Sequence, residues 1–432
     1  MNWIILILVG IAFGFAGWHQ LTWIPIQGQG APMEVLSKAM IESATGAVEL
    51  AIGLVGVMTL FLGLMKVAEA GGMLRILARL IRPLMVRLFP DVPADHPAIG
   101  AMILNISANA LGLGNAATPF GIRAMQELDT LNAQRGTATN AMVLFLAINT
   151  SSVTLLPTGV IALRAAAGSA APAAILPTTL FATIGSTTVA IIAAKLYSRW
   201  FPVAPVPEDA IAMPPADPPQ TVMEDLPQDD GRGYPLWVSL LALLSLFSMI
   251  PMAVLYGRAI SPWVIPGIMV FFLGFGAFRR GPVYEVMVAG GKEGFQVALR
   301  IIPYLVIILV AVGMLRASGA MDVFVGLLGQ VTGRFGLPTE ALPMALMRPL
   351  SGSGAYGIMA AIINDPTIGP DSYVGMLVTT LQGSTETTFY VLAVYFGAVQ
   401  IKRIRHAMAA ALTADLAGIV FAVIICRLLF NG

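Results

Sequence analysis

Charge is the resource this chain lacks most. Only 11% of its 432 residues are Asp, Glu, Lys or Arg, against about 25% in a soluble domain. Hydrophobic residues make up 57%, and the mean hydropathy is +0.83. That composition cannot clothe a water-facing surface, so a soluble globular protein is excluded and a polytopic membrane protein is expected. The charges present nearly cancel, leaving a net +1, which excludes the basic face a nucleic-acid partner would need. Cysteine is almost absent. The single Cys426 excludes an internal disulfide framework and a cysteine metal site. His19, His96 and His406 are the three histidines, and their spacing makes no metal motif. No Gly-x-Ser-x-Gly pattern surrounds Ser351 or Ser353. A rhomboid-type Ser–His pair would need a histidine in the membrane, whereas His406 follows the basic group Lys402–Arg405. No catalytic constellation remains, and neither an enzyme nor a cofactor is expected. No basic residue precedes the apolar start and no cleavage site follows it, so Asn2–Trp18 reads as a retained helix.

Spanning segments are expected at 3–18, 46–65, 137–163, 173–194, 237–256, 260–278, 301–316, 373–399 and 407–427. A span needs about 20 apolar residues. The long segments 137–163 and 373–399 contain polar runs and read as broken helices. The stretches 97–128 and 338–364 are apolar but rich in Gly, Asn, Ser and Pro, and read as re-entrant hairpins, which tolerate depth only when buried in protein or lining a cavity. With the N-terminus in the cytoplasm, 17 of the 24 Lys and Arg fall on the cytoplasmic side, in accord with the positive-inside rule. Leu74–Leu88 and Met321–Arg334 read as interfacial amphipathic helices. Residues 202–235 hold nine prolines, seven acids and one Arg. Such a stretch cannot build a core and reads as a cytoplasmic linker. The expected organisation is therefore a membrane half 1–200, a linker 201–235 and a second membrane half 236–432.

The fold class expected is an all-α polytopic membrane protein with inverted-topology repeats, broken helices and re-entrant hairpins. The repeat runs over 34–195 and again over 288–428. Gly63-Leu-Met-Lys matches Gly313-Met-Leu-Arg, Gly112-Leu-Gly114 matches Gly352-Ser-Gly354, and Asn149–Thr154 matches Gly383–Thr388. The polar runs are the informative feature. Gln382-Gly-Ser-Thr-Glu-Thr-Thr388 places a carboxylate in an apolar segment, at a cost of roughly 2.5–3.5 kcal/mol on the lenient insertion scale. One polar run per half points to a midplane site between two repeats, the plan of secondary transporters. Candidate binding residues are Asn149, Thr150, Ser151, Ser152 and Thr154 of the first run, and Gln382, Ser384, Thr385, Glu386, Thr387 and Thr388 of the second. The hairpin tips add Asn105, Asn109 and Asn115, then Arg348, Ser351 and Ser353. Glu386 is the candidate ion-coupling residue; a structural carboxylate paired with Arg or capping a half-helix is the alternative. Arg348 could bind a substrate anion, pair with Glu386 or snorkel to the surface. Glu49 lies near a span end, and Asp415 is deeper.

The same motifs resemble the bacterial spore maturation proteins A and B, fused into one chain. His96-Pro-Ala-Ile-Gly-Ala, Gly112-Leu-Gly-Asn-Ala-Ala-Thr-Pro119, Thr137-Ala-Thr-Asn-Ala and Asn149-Thr-Ser-Ser-Val-Thr154 resemble protein A. Arg348-Pro-Leu-Ser-Gly-Ser-Gly-Ala355, Gly369-Pro-Asp-Ser372 and Gln382–Ala393 resemble protein B. The resemblance implies the "nucleoside recognition" or Gate-domain group, which also takes in the membrane core of ferrous iron permeases and is related to concentrative nucleoside transporters. It implies a multi-pass protein of the bacterial cytoplasmic membrane and leaves the solute open. The partners expected are the lipid bilayer and a small polar solute, anionic or zwitterionic, with H⁺ or Na⁺ coupling; a homodimer is compatible with a family whose halves associate. A membrane scaffold or sensor for envelope enzymes, or a flippase for a lipid-linked substrate, are the competing functions.

Overall fold

The computed structural model describes residues 2–24, 30–112, 114–202, 233–323, 326 and 332–430. Most of the acidic, proline-rich stretch and half of the expected amphipathic helix 321–334 lie outside the described residues, as does the side chain of Asn115. The described chain is helical, with no named strand and a single isolated bridge, Thr137 to Arg403.

The helices are α1 (Asn2–Leu21), α2 (Pro32–Ala70), α3 (Met73–Leu88), α4 (Pro97–Ala110), α5 (Gly114–Thr130), α6 (Asn140–Thr150), α7 (Thr158–Ala166), α8 (Leu176–Tyr197), α9 (Leu236–Phe278), α10 (Val283–Ala317), α11 (Leu342–Met347), α12 (Gly352–Ile363), α13 (Tyr373–Ser384), α14 (Thr388–Ala398) and α15 (Ala407–Phe430). Among the described residues, Pro172–Tyr197 and Ala407–Phe430 are each long and apolar enough to cross a bilayer unaided. The halves of the broken helices, α6 with α7 and α13 with α14, are each too short to span alone.

Two expected spans extend into longer helices. The span 46–65 is part of α2, of 39 residues, and the span 301–316 is part of the 35-residue α10. The two helices lie antiparallel and pack along their length, so the seam between them continues the helix where apolar composition alone would end it. Glycines make the close approach: Gly63 lies under Met287 and Gly291, Gly294 under Met58, and Gly313 under Ser43. Small residues serve this role between membrane helices generally. The spans expected at 237–256 and 260–278 fall within one helical stretch, α9, which is not one straight rod. Ser239 bonds the Leu80 carbonyl at 2.6 Å, and the Phe275 ring packs on Gly71. In a straight helix those two residues would be about 54 Å apart, whereas Gly71 and Leu80 along α3 are separated by about 14 Å. The chain doubles back within α9, where Pro251, Pro262 and Pro266 fall.

The two copies are inverted, and the contacts show it directly. At one end the start of the first broken helix meets the end of the second: Lys402 and Arg403 N–H groups bond the Gly136 carbonyl at 2.9 Å, and Ala138 N–H bonds the Arg403 carbonyl at 3.0 Å. At the other end the last turn of α7 meets the residues before α13, where Arg164 pairs with Asp371 at 2.8 Å. The broken helices therefore run in opposite directions side by side. The final helices of the two copies do the same, with Tyr197 of α8 on Thr413 and Gly185 on Phe421 of α15. Both hairpins are present, α4–α5 and α11–α12. The amphipathic α3 leaves α2 at a 67° bend through Gly72, whose φ of 86° suits glycine. It buries Leu74, Ala78 and Met85. Large apolar side chains stand exposed on α1, α9 and α15, among them Phe13, Trp237, Phe271, Leu416 and Ile424. In a multi-pass protein these are surfaces for acyl chains.

Candidate solute-binding site

Each break arises from local chemistry. At the end of α6, Asn149 Nδ2 donates to the Phe145 carbonyl at 2.9 Å, Thr150 Oγ1 to Ala147 at 3.0 Å and Ser151 Oγ to Ala147 at 2.8 Å. Short polar side chains that bond their own backbone compete with helix continuation, and Pro157 prevents an early restart. At the end of α13, Ser384 Oγ bonds the Leu381 carbonyl at 2.9 Å. Thr385 and Thr387 are extended before α14 begins.

The two breaks cross. Glu386 N–H donates to the Thr150 carbonyl at 2.8 Å, so each unwound segment satisfies part of the other. Thr187 of α8 donates its hydroxyl to the Ser151 carbonyl. Each hairpin tip reaches the break of its own copy. Leu155 N–H bonds the Ala110 carbonyl at 2.9 Å, and Phe389 N–H bonds Pro349 at 3.2 Å. Gly112, at φ 76°, lies against the Leu156 carbonyl, and Gly352 lies against the Thr387 hydroxyl and Arg348.

Arg348 is the centre of the second break. It is only 6% exposed. Its guanidinium donates to the Thr385 carbonyl and, at 3.3 Å, to the Thr387 hydroxyl. The Glu386 carboxylate is 3.7 Å away and 45% exposed. Of the three readings open to Arg348, pairing with Glu386 is the one observed. Glu386 stands at a partly open edge rather than in a sealed interior. Thr388 is fully buried and donates to Asp415 Oδ2 at 2.7 Å.

The remaining candidates divide. Asn105, Asn109 and Asn149 form one network: Asn109 Nδ2 donates to Asn149 Oδ1 at 3.0 Å, and Asn105 Nδ2 to the Ala117 carbonyl at 2.7 Å. Ser152 is buried, and Thr154 bonds the Ser152 carbonyl at 3.3 Å. Ser351 caps α12 by accepting from Gly354 N–H at 3.0 Å, a structural duty. Ser353 is half-buried in the first turn of α12, and Gln382 is half-buried with its carbonyl oxygen unpartnered among the described residues.

Sequence reasoning left out three contributors. Tyr395 of α14 bridges the asparagine network, 3.0 Å from Asn105 Nδ2 and 3.3 Å from Asn149 Oδ1; it also stacks on Phe145. Thr179, Thr183, Ser186 and Thr187 line one face of α8 at helical spacing, a polar stripe that could have been read. Asp415, weighed but not selected, is 4% exposed beside Arg348.

Titratable groups outside the spans are shifted as well. Burial and then the neighbouring Arg405 push His406 down to about 4. For Asp365 burial acts upward, yet hydrogen bonds from Thr367 and its pairing with Arg316 at 2.5 Å hold it below the usual carboxylate range. Asp365 and Arg316 line a cleft of about 720 Å³ with Glu42, Glu49 and Asn364, away from the crossing breaks.

Comparison with known proteins follows the same division of the chain. The Gate family model, described as nucleoside recognition, matches residues 51–167 and 298–402, which is a little over half the chain and corresponds to α2 through α7 and α10 through α14. Spore maturation protein B of Bacillus subtilis (strain 168) is 46% identical over 174 residues, covering 40% of this chain and 94% of that protein. Spore maturation protein A of the same organism is 40% identical over 190 residues, covering 44% of this chain and 90% of that protein. Two solved structures align along almost the whole chain: CNTnw in an intermediate state, at 13% identity and a TM-score of 0.36 over 92% of that chain, and the Alcanivorax borkumensis YdaH transporter, at 14% identity and a TM-score of 0.40 over 97% of that chain.

Proposed function

The chain belongs to the Gate family of nucleoside-recognition membrane proteins, as a fusion of A-like and B-like spore maturation halves, and on that premise we propose that it is a secondary transporter of a small polar solute, anionic or zwitterionic, in the bacterial cytoplasmic membrane. The observation that carries the reading is the crossing of two unwound segments between inverted copies, with a buried Arg348 and a partly open Glu386 side by side. Buried irregular backbone and an intramembrane ion pair are expensive and mark solute or ion pathways. Arg348, with its forked donors, suits a carboxylate or phosphate. Glu386 competes for the same guanidinium and would swing away as the anion enters, or take the cationic end of a zwitterion. The hairpin tips close the site from either side, and alternating access follows from exposing it by one tip and then the other. The N-terminus and the linker 201–235 are assigned to the cytoplasmic side in this reading.

The test is thermal stability of the purified protein against nucleosides, dipeptides, dicarboxylates and Na⁺, with wild type beside Glu386→Gln. A ligand at 100 times its Kd adds about 2.7 kcal/mol. A shift in wild type that disappears in the variant supports the site and names a solute class. No shift with any solute would move the reading to a scaffold for envelope enzymes or to a lipid-linked substrate.

A further inference from the structure

A second acid sits deeper in the same site and no role has yet been given to it. Asp415, in the middle of α15, is 4% exposed. Its Oδ2 accepts from the Thr388 hydroxyl at 2.7 Å. Its Oδ1 has no hydrogen-bond partner among the described residues, and Arg348 Nε is likewise unpartnered. The elements packed on α15 bring no other charge to it. Helices α6, α13 and α14 contain no charged residue, and α8 contains only Lys195 in its last turn. The charged groups that face Asp415 are therefore Arg348, and behind it Glu386.

One buried guanidinium thus stands near two carboxylates: Arg348 pairs with Glu386 and bonds Thr387, and Asp415 accepts from the next residue, Thr388. Glu386, at 3.7 Å from Arg348 and nearly half exposed, can keep its charge with help from water. Asp415 cannot, because a buried ion without a counter-charge is far more costly than its neutral form. When an anionic solute occupies Arg348, the compensation available to Asp415 is withdrawn. The group that restores neutrality must fit beside the Arg348 guanidinium, which repels a metal cation, and such a cation would in addition need several oxygen ligands. A proton needs only the free Oδ1.

We propose that Asp415, rather than Glu386, carries the coupling proton, and that an anionic group reaching Arg348 is taken up together with that proton. This rests on the transport reading and gives it a coupling ion. Thr388 positions the carboxylate and sets its balance, since its donated hydrogen bond favours the charged form. Release of the anion returns Arg348 to the two acids, and the proton leaves Asp415 for solvent on the side then open.

Infrared absorption of protonated carboxyl groups, followed while the full-length protein is titrated through the neutral range, tests the proposal without needing the solute. The expected result is a buried-carboxyl band that Asp415→Asn removes and Glu386→Gln retains. The protonated fraction at neutral pH is expected to be larger in Arg348→Gln and in Thr388→Val, which guards against misfolding of the aspartate variant. A band unchanged by Asp415→Asn, or one abolished by Glu386→Gln, overturns the proposal. Its failure is separable from that of the transport reading. A solute-dependent stability shift without the Asp415 band sinks the proton site alone, whereas the band without any solute shift sinks transport and leaves a titrating buried acid.

Discussion

At the first break every polar side chain is turned inward on protein. Asn149, Thr150 and Ser151 bond their own helix, Asn149 also receives Asn109 and Tyr395, and Ser152 is sealed at 3% exposure. At the second break the backbone is equally unwound, but its side chains hold an ion pair and a buried acid, and Glu386 is 45% exposed. The inverted copies thus share a shape and differ in chemistry. The first copy supplies a neutral, hydrogen-bonded floor; the second supplies charge that can be exchanged. In the transport cycle proposed above, such a pair would keep the geometry of alternating access while concentrating recognition on one side.

The largest effect on the comparison comes from releasing the two copies from each other. Arg164 is fully buried and bonds the Pro370 carbonyl at 2.6 Å and Thr379 Oγ1 at 3.2 Å besides Asp371. Arg164→Met should cost about 3 kcal/mol by stranding those acceptors, read by denaturant unfolding; an unchanged midpoint would mean that the end clamp does not hold the broken helices together. Next come the tips. Gly112→Ala forces a Cβ onto the Leu156 carbonyl at positive φ, and should cost about 2 kcal/mol or more. Gly352→Ala meets the Thr387 hydroxyl and the Arg348 side chain, which can rotate, so stability should fall less while solute stabilisation is lost. Equal effects at both tips would contradict the division into floor and site.

The breaks themselves give a finer contrast. Asn149→Ala leaves Asn109 and Tyr395 without an acceptor and should cost about 2 kcal/mol. Glu386→Gln removes half of a partly exposed pair and should change stability by less than about 1 kcal/mol, yet abolish the response to solute. The smallest effect concerns pH. His406, buried before α15 and stacked on Phe201, is held at about 4 against an ordinary 6.5. The unfolded chain therefore takes up the proton first, so stability should decline as pH falls from about 6.5 to about 4 and level off below. His406→Leu should flatten that part of the stability–pH profile; a slope unaltered by the substitution would assign it to other groups.

The breaks, the hairpins and the inversion were legible in the sequence because unpaired polar atoms are so costly in hydrocarbon that a run such as Gln382–Thr388 must have a built environment. Arg348 and Glu386 were legible for the same reason. Tyr395 was not, since a tyrosine in an apolar helix looks like packing and its partner Asn149 is 246 residues away. Asp415 had only Thr413 as a polar neighbour in its helix, and no polar run to mark it as part of a site. Helices α2 and α10 outran their expected spans because the antiparallel seam between them, invisible in either segment taken singly, carries the helix beyond the apolar stretch. The spans expected at 237–256 and 260–278 follow one another in the continuous helical stretch α9, with the chain turning between its ends.

The central claim is that the crossing breaks move a solute. Uptake of the stabilising solute into proteoliposomes, with wild type and Glu386→Gln compared at equal protein content, measures it most directly. The account predicts saturable uptake in wild type and none above empty vesicles in the variant. Tight binding with no uptake by either protein would contradict it.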